Sequence, residues 1–182
     1  LVLDALDQHG LARNTLVIFT SDNGAMFTRD AIEAGHRSNG VLLGQKTDAW
    51  EGGHRVPLLA RWPGRIPAGS ERQALFTQVD LMATLAEAAG VAMPPGASPD
   101  GASELAAFTD PARAPVKRSE TLFLGTGGFA MRRGDWVFLP KQGSCGMTVQ
   151  APHGALWGQP YAKMGLTNSD VDAQGQLKSD AP

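Results

Sequence analysis

Residues 15–24 read TLVIFTSDNG. The apolar run Leu16-Val17-Ile18-Phe19 stops abruptly at Ser21-Asp22-Asn23-Gly24, and an apolar run bounded by Asp, Asn and Gly predicts a buried strand over 15–20 that runs into a turn. In open α/β sheets, ligands collect outside the carboxyl ends of such strands. The residues alone leave two readings open. One is an Asx turn, because Asp and Asn bond their own backbone and Gly accepts positive φ; the other is a turn that holds a ligand. Ahead of the strand, LVLDALDQHGLARN places Leu3, Ala5 and Leu6 at helical spacing before Gly10, which predicts a helix over 1–9. Helix followed by strand is an α/β rhythm.

The 182 residues suffice for one ordinary domain or one and a half small ones. A net charge of −2 with 19% charged residues gives no sign of a nucleic-acid footprint or a polybasic membrane patch and leaves an acidic small ligand open. No apolar run approaches the roughly 20 residues of a membrane span, and no charged segment followed by an apolar one opens the chain, so a soluble protein is expected. The single cysteine, Cys145, excludes an internal disulfide. Leu1 opens the chain inside a helical pattern without an initiator Met, so the expectation is a fragment of a longer protein.

Residues 24–54 show little apolar periodicity and are rich in glycine, including Gly40, Gly44, Gly52 and Gly53. A loop of that length inside a compact domain is usually functional or disordered. RVPLLARWPG predicts a strand ending at Pro63-Gly64. TQVDLMATLAEAAGV predicts a helix with Asp80 as N-cap, Met82, Leu85, Ala86 and Ala89 on one apolar face, and Gly90 at the C-terminal cap. The proline-rich segment from Met93 reads as a surface connection with one helical turn. ETLFLGTGGFAMRRGDWVFLPKQ alternates around Gly127-Gly128 and Gly134-Asp135, two hairpin signals that predict a small antiparallel sheet. The tail from Cys145 to Pro182 predicts loop, poorly ordered toward its end.

A second stretch carries chemistry: GQKTDAWEGGHRVP, residues 44–57. Lys46 lies among glycines that let backbone approach a ligand closely, and its compact charge suits an oxyanion such as sulfate or phosphate. As a lone lysine it reads first as a solvated surface group. Glu51 and Arg55, four apart, read as a structural ion pair. Trp50 reads as core-facing rather than as a platform for a sugar ring, and Asp48 and Arg37 carry no assignment.

Taken together, Ser-Asp-Asn-Gly after an apolar strand, then Gly-x-Lys-x4-Glu-Gly-Gly-x-Arg-Val-Pro, then ARWPGRIPAG and VDLMATLAEAAG resemble the C-terminal part of a type I sulfatase of the alkaline-phosphatase superfamily. The resemblance is dense over 1–92 and thinner through GGFAMRRGDWVFL. It implies an α/β fold: residues 1–92 as the C-terminal part of a mixed α/β catalytic sheet sandwiched with helices, 93–120 as a connection, and 121–182 as an incomplete antiparallel subdomain. It also implies roles. Asp22 and Asn23 match the pair whose side-chain oxygens bind an active-site calcium, with magnesium the second choice, and Lys46 matches a lysine that contacts the sulfate group. A carboxylate and an amide oxygen are hard donors suited to such ions. His36 and His54 lie in the long loop as candidates for leaving-group acid or substrate contact, His36 ahead of His54, whereas His9 and His153 read as surface residues. Gln45 stands where the family often has Gly.

Two side chains cannot complete a calcium site of 6–8 oxygens. In the family the remaining acidic ligands and a Cys or Ser converted to formylglycine, within a Cys-x-Pro-x-Arg type motif, lie upstream; no such motif occurs here. Cys145, in GSCGMT, reads as a small, partly buried thiol. The implied function is sulfuric ester hydrolysis, on a sulfated glycan or an aryl sulfate, in a longer protein exported to the periplasm or beyond the cell; the chain alone is expected to turn nothing over and to be marginally folded. Two other readings stay open: a non-catalytic oxyanion- or glycan-binding module, and a phosphodiesterase or phosphonate hydrolase of the same superfamily. Substitutions at Arg61 and Arg132 are expected to be mild.

Overall fold

The computed structural model describes residues 1–112, 114–115, 117–146, 172, 174, 176 and 178–181. The expected loop over the tail falls almost wholly outside the described residues, as does His153. The architecture is mixed α/β with two small antiparallel sheets. The chain forms two compact units, each assembled from two separated stretches: Leu1–Thr20 with Pro57–Ser119, and Ser21–Val56 with Glu120–Pro182.

The first unit contains helix α1 (Val2–Gln8), a 3-10 turn (Ala12–Asn14) and strand β1 (Val17–Thr20). These are the helix and strand predicted by the opening residues. Strand β2 (Leu58–Arg61) pairs antiparallel with β1, Val17 opposite Arg61 and Thr20 opposite Leu58. The expected burial of β1 holds only in part: Phe19 lies opposite Leu59, and both are 62% exposed. Arg61 is not an isolated surface group, since its Nη2 donates to both oxygens of Asp7 at 2.9 and 3.1 Å.

Helix α4 (Asp80–Ala89) ends as predicted at Gly90, which takes the left-handed φ of +68° that its C-cap requires. Its other features differ. Val79 is the N-cap and Asp80 the first helical residue. Among α4's residues, Asp80 and Thr84 are the buried ones, whereas Met82 and Leu85 of the expected apolar face are about half exposed. The cause is a polar knot. Asp80 accepts from the Thr77 amide and hydroxyl, from the Ala102 amide, and from Arg118 at 2.6 and 3.0 Å; Thr84 accepts from the Glu104 amide at 3.0 Å. Burial alone would raise the Asp80 carboxyl, but Arg118 and these donors hold it below its ordinary 3.8. The connection supplies short helix α5 (Leu105–Thr109), the helical turn its Ala-rich sequence suggested.

In the second unit, the long loop carries two short helices, α2 (Arg29–Glu33) and α3 (Glu51–His54). Thr28 starts α2 by accepting from the Ala31 amide. Both hairpins form where the glycines signalled them: strands β3 (Glu120–Gly125), β4 (Gly128–Arg133) and β5 (Trp136–Phe138) make an antiparallel meander, with Gly125 opposite Gly128 and Arg133 opposite Trp136. One face of this sheet packs a core of Ala49, Ala130 and Cys145, with Val137 and Leu139 against it. Cys145 is fully buried rather than partly, at 1% exposure.

Candidate functional site

Two turns carry the candidate ligands, and both lie in the second unit. In the first, the Ser21 hydroxyl donates to the Asn23 carbonyl at 2.9 Å, and Asn23 Nδ2 donates to Asp22 Oδ1 at 3.1 Å. With its amide hydrogens turned to Asp22, Asn23 keeps its side-chain oxygen as an acceptor, and Asp22 is exposed. One carboxylate and one amide oxygen thus sit on adjacent residues of a fixed turn. That donor set fits a hard cation such as Ca²⁺. It is only part of a site: among the described residues, no group of three or more His, Cys, Asp and Glu is placed to hold a metal.

The second turn, Gly44-Gln45-Lys46-Thr47, presents Lys46 to solvent. Gly44 (φ +89°) and Thr47 (φ +82°) both adopt left-handed backbone, which for a β-branched Thr persists only where surrounding bonds impose it. The Thr126 amide bonds the Thr47 carbonyl at 3.1 Å, and Asp48 accepts from the Gln45 amide at 2.9 Å. Gln45 is not simply a wider residue in place of Gly: it is buried, and its side-chain oxygen accepts from the Phe27 amide at 3.0 Å.

Main-chain bonds stitch the two turns together. The Gly24 amide donates to the Gly53 carbonyl at 2.8 Å, and the Lys46 amide donates to the Ala25 carbonyl at 3.1 Å. The approach is close enough to demand glycine: a Cβ on Gly24 would stand 1.7 Å from the Gly52 oxygen, and one on Gly52 2.2 Å from the Gly44 oxygen. This is why α3 forms around two glycines against their helical propensity. Asn39 adds three bonds from one side chain, its oxygen accepting from the Ala25 amide and its nitrogen donating to the Ala25 and Gly44 carbonyls.

The meander supports this loop from beneath. Glu51 pairs with Arg55 at 2.9 Å, as its spacing suggested, and also with Arg132 of β4. Arg132 therefore ties the sheet to the loop. The Ala49 amide bonds the Ser144 carbonyl at 2.7 Å, and Trp50 is buried, in keeping with a core-facing ring. His54 stacks on Phe123 and bonds the Ala49 carbonyl through Nε2 at 3.2 Å; burial lowers its pKa from 6.5 to about 4. A neutral, stacked imidazole is a packing group, and His54 has no proton to deliver near neutral pH. His36 follows α2 and is exposed; its amide bonds the Ala31 carbonyl, and among the described residues no bond links it to Asp22, Asn23 or Lys46.

Asn39, Gln45 and Arg132 are the members of this arrangement that the sequence left unassigned. Asn39 sits in Ser-Asn-Gly, an ordinary turn signature, and only the fold shows that its partners are 14 and 5 residues away.

Comparisons with known proteins identify the family of the chain. The sequence model of the Sulfatase family matches residues 1–91. Over 103 residues the chain is 45% identical to steryl-sulfatase of Rattus norvegicus, covering 55% of this chain and 18% of that protein. Over 110 residues it is 37% identical to N-acetylgalactosamine-6-O-sulfatase of Bacteroides thetaiotaomicron, covering 57% of this chain and 21% of that protein. The aligned part thus spans about a fifth of these relatives. A solved structure from work on glycosaminoglycan metabolism by Bacteroides thetaiotaomicron superposes with a TM-score of 0.66 at 31% identity, over 75% of this chain and 29% of that one. With a family match over half its residues and a sulfatase-like fold, the chain belongs to the sulfatase family, within the alkaline-phosphatase superfamily.

Proposed function

We propose that this chain supplies part of the metal site and a sulfate-binding lysine to a sulfuric ester hydrolase whose nucleophile, a formylglycine, and remaining acidic ligands lie outside these 182 residues. The observation that supports it is the stitching of the Asp22-Asn23 turn to the Lys46 turn through Gly24, Ala25 and Gly53, which joins by main-chain bonds the turns that carry two oxygen donors and an exposed lysine. Asp22 and Asn23 donate oxygens to Ca²⁺, with Mg²⁺ the second choice because it dehydrates reluctantly. Bound there, the cation supplies Lewis-acid neutralisation of sulfate oxygens. Lys46 binds a sulfate oxygen as a point charge and stabilises the negative charge that builds on it as the ester bond breaks. His36, exposed on the same loop, is the candidate for protonating the leaving alcohol. The substrate is a sulfate ester of a glycan, sterol or aryl alcohol, the classes named by the relatives, and the enzyme works in the periplasm or outside the cell.

The test begins upstream of the Leu1 codon. An in-frame Cys- or Ser-x-Pro/Ala-x-Arg motif with paired aspartates is expected, and the extended enzyme should hydrolyse 4-nitrophenyl sulfate with loss of activity in EDTA. Lys46→Ala should then lower turnover by roughly 10² or more, the scale of one lost oxyanion donor. An open frame without a nucleophile would overturn the hydrolase and leave an oxyanion-binding module. Parental turnover in the Lys46 variant would remove that residue from the mechanism.

A further inference from the structure

We propose that Asn39 is a positioning residue that sets the distance between the Asp22-Asn23 turn and the Lys46 turn, and so between metal and sulfate. The proposal rests on the reading of those three residues as ligands. Asn39 bonds backbone on both sides of the junction: Oδ1 takes the Ala25 amide at 3.0 Å, while Nδ2 gives to the Ala25 carbonyl at 3.1 Å and the Gly44 carbonyl at 3.0 Å. Ala25 is two residues beyond Asn23, and Gly44 two before Lys46. The Ala25 carbonyl that Asn39 engages is the one that accepts the Lys46 amide, so Asn39 Nδ2 and the Lys46 amide share one acceptor while Asn39 Oδ1 takes the amide of the same residue. The carboxamide satisfies all three bonds because it carries an acceptor and two donors in one plane. A carboxylate of the same shape keeps the first bond and sets an oxygen against two carbonyl oxygens. Asn39→Asp is therefore a near-isosteric cut of the bridge alone.

The role separates from simple structural support by where the effect appears. In the ¹⁵N-labelled chain, Asn39→Asp should speed hydrogen exchange of the Lys46 amide, which shares the Ala25 carbonyl, at least tenfold, while Ala130 in the core of the meander keeps its parental rate. In a CaCl₂ titration followed at the amides of Asp22 to Gly24, the midpoint should rise about tenfold. In the extended enzyme, kcat should fall with the calcium midpoint shifted and the melting temperature within a few degrees of the parent's. Unchanged exchange at Lys46, or an equal acceleration at Ala130, would overturn the proposal. Asn39→Ser, smaller and neutral, replaces the Asp variant should the latter not fold, with the same outcomes required. If the parent shows no response to calcium while the local exchange effect holds, the positioning stands and the ligand reading fails.

Discussion

The imidazole of His54 lies flat on the ring of Phe123, with centroids 3.6 Å apart and planes 5° from parallel. Protonation would put an unpaired charge into that stack, next to Arg55. Burial, the main cause, and Arg55 outweigh the bond to the Ala49 carbonyl and bring the pKa to about 4. In the unfolded chain the same group titrates near 6.5, so between those values the unfolded state takes up the proton and the native state does not. Stability should therefore fall as pH drops from about 6.5 to about 4. Glu104, held above its ordinary 4.5 mainly by burial, contributes with the opposite sign. The His54 share is accordingly the difference between the parent and His54→Leu: urea midpoints across this window should slope less in the variant, and parallel slopes would remove His54 as the cause.

Arg132→Ala leaves the half-buried Glu51 with Arg55 as its remaining ion-pair partner. Loss of a charged partner from such a site costs about 1–3 kcal/mol. The expected result is a lower urea midpoint with faster amide exchange at Gly52 and Gly53. A midpoint equal to the parent's would mean that the tie between meander and loop carries no energy.

Gly24→Ala should be far worse than Gly40→Ala, although Gly40 is the one with positive φ. At Gly40 an added methyl meets nothing within 4 Å, and the cost is backbone strain of about 1–2 kcal/mol. At Gly24 it meets the Gly52 carbonyl oxygen, so backbone must move, which costs about 1–3 kcal/mol or more and parts the Gly24–Gly53 bond. Equal thermal shifts in the two variants would contradict the close approach.

Arg118→Met should be among the most damaging single changes in the first unit, because Asp80 is fully buried and would lose its ion-pair partner. Breaking one side of a buried pair costs about 3–5 kcal/mol. Adding Asp80→Asn should recover part of that loss, and a double variant no more stable than Arg118→Met would count against charge as the source.

Local pattern predicted local structure well. The apolar run before Ser21, the glycines at 127–128 and 134, and Gly90 each act within a few residues of themselves, and each appears where its chemistry placed it. Glu51 with Arg55 is legible for the same reason. The larger misreadings concern distant partners. Periodicity made Met82 and Leu85 the inward face of α4, but Arg118 and the amides of Ala102 and Glu104 claimed the opposite side through Asp80 and Thr84. Arg132 looked free because Glu51 is 81 positions away. At the site, Asp22, Asn23 and Lys46 stand out through the family resemblance, while Asn39 does not: an asparagine in a turn signals only the turn.

The family match ends at residue 91, yet the unit that carries Asp22, Asn23 and Lys46 is completed by residues from 120 onward. Similarity and folding therefore draw their borders in different places. A clone trimmed to the matched region would retain every candidate ligand and lose Phe123, Thr126, Arg132 and Ser144 from under them, so the loop would keep its chemistry without its shape. For anyone choosing expression limits or grafting this loop into another scaffold, the portable piece is discontinuous: 21–56 together with the residues from 120 onward.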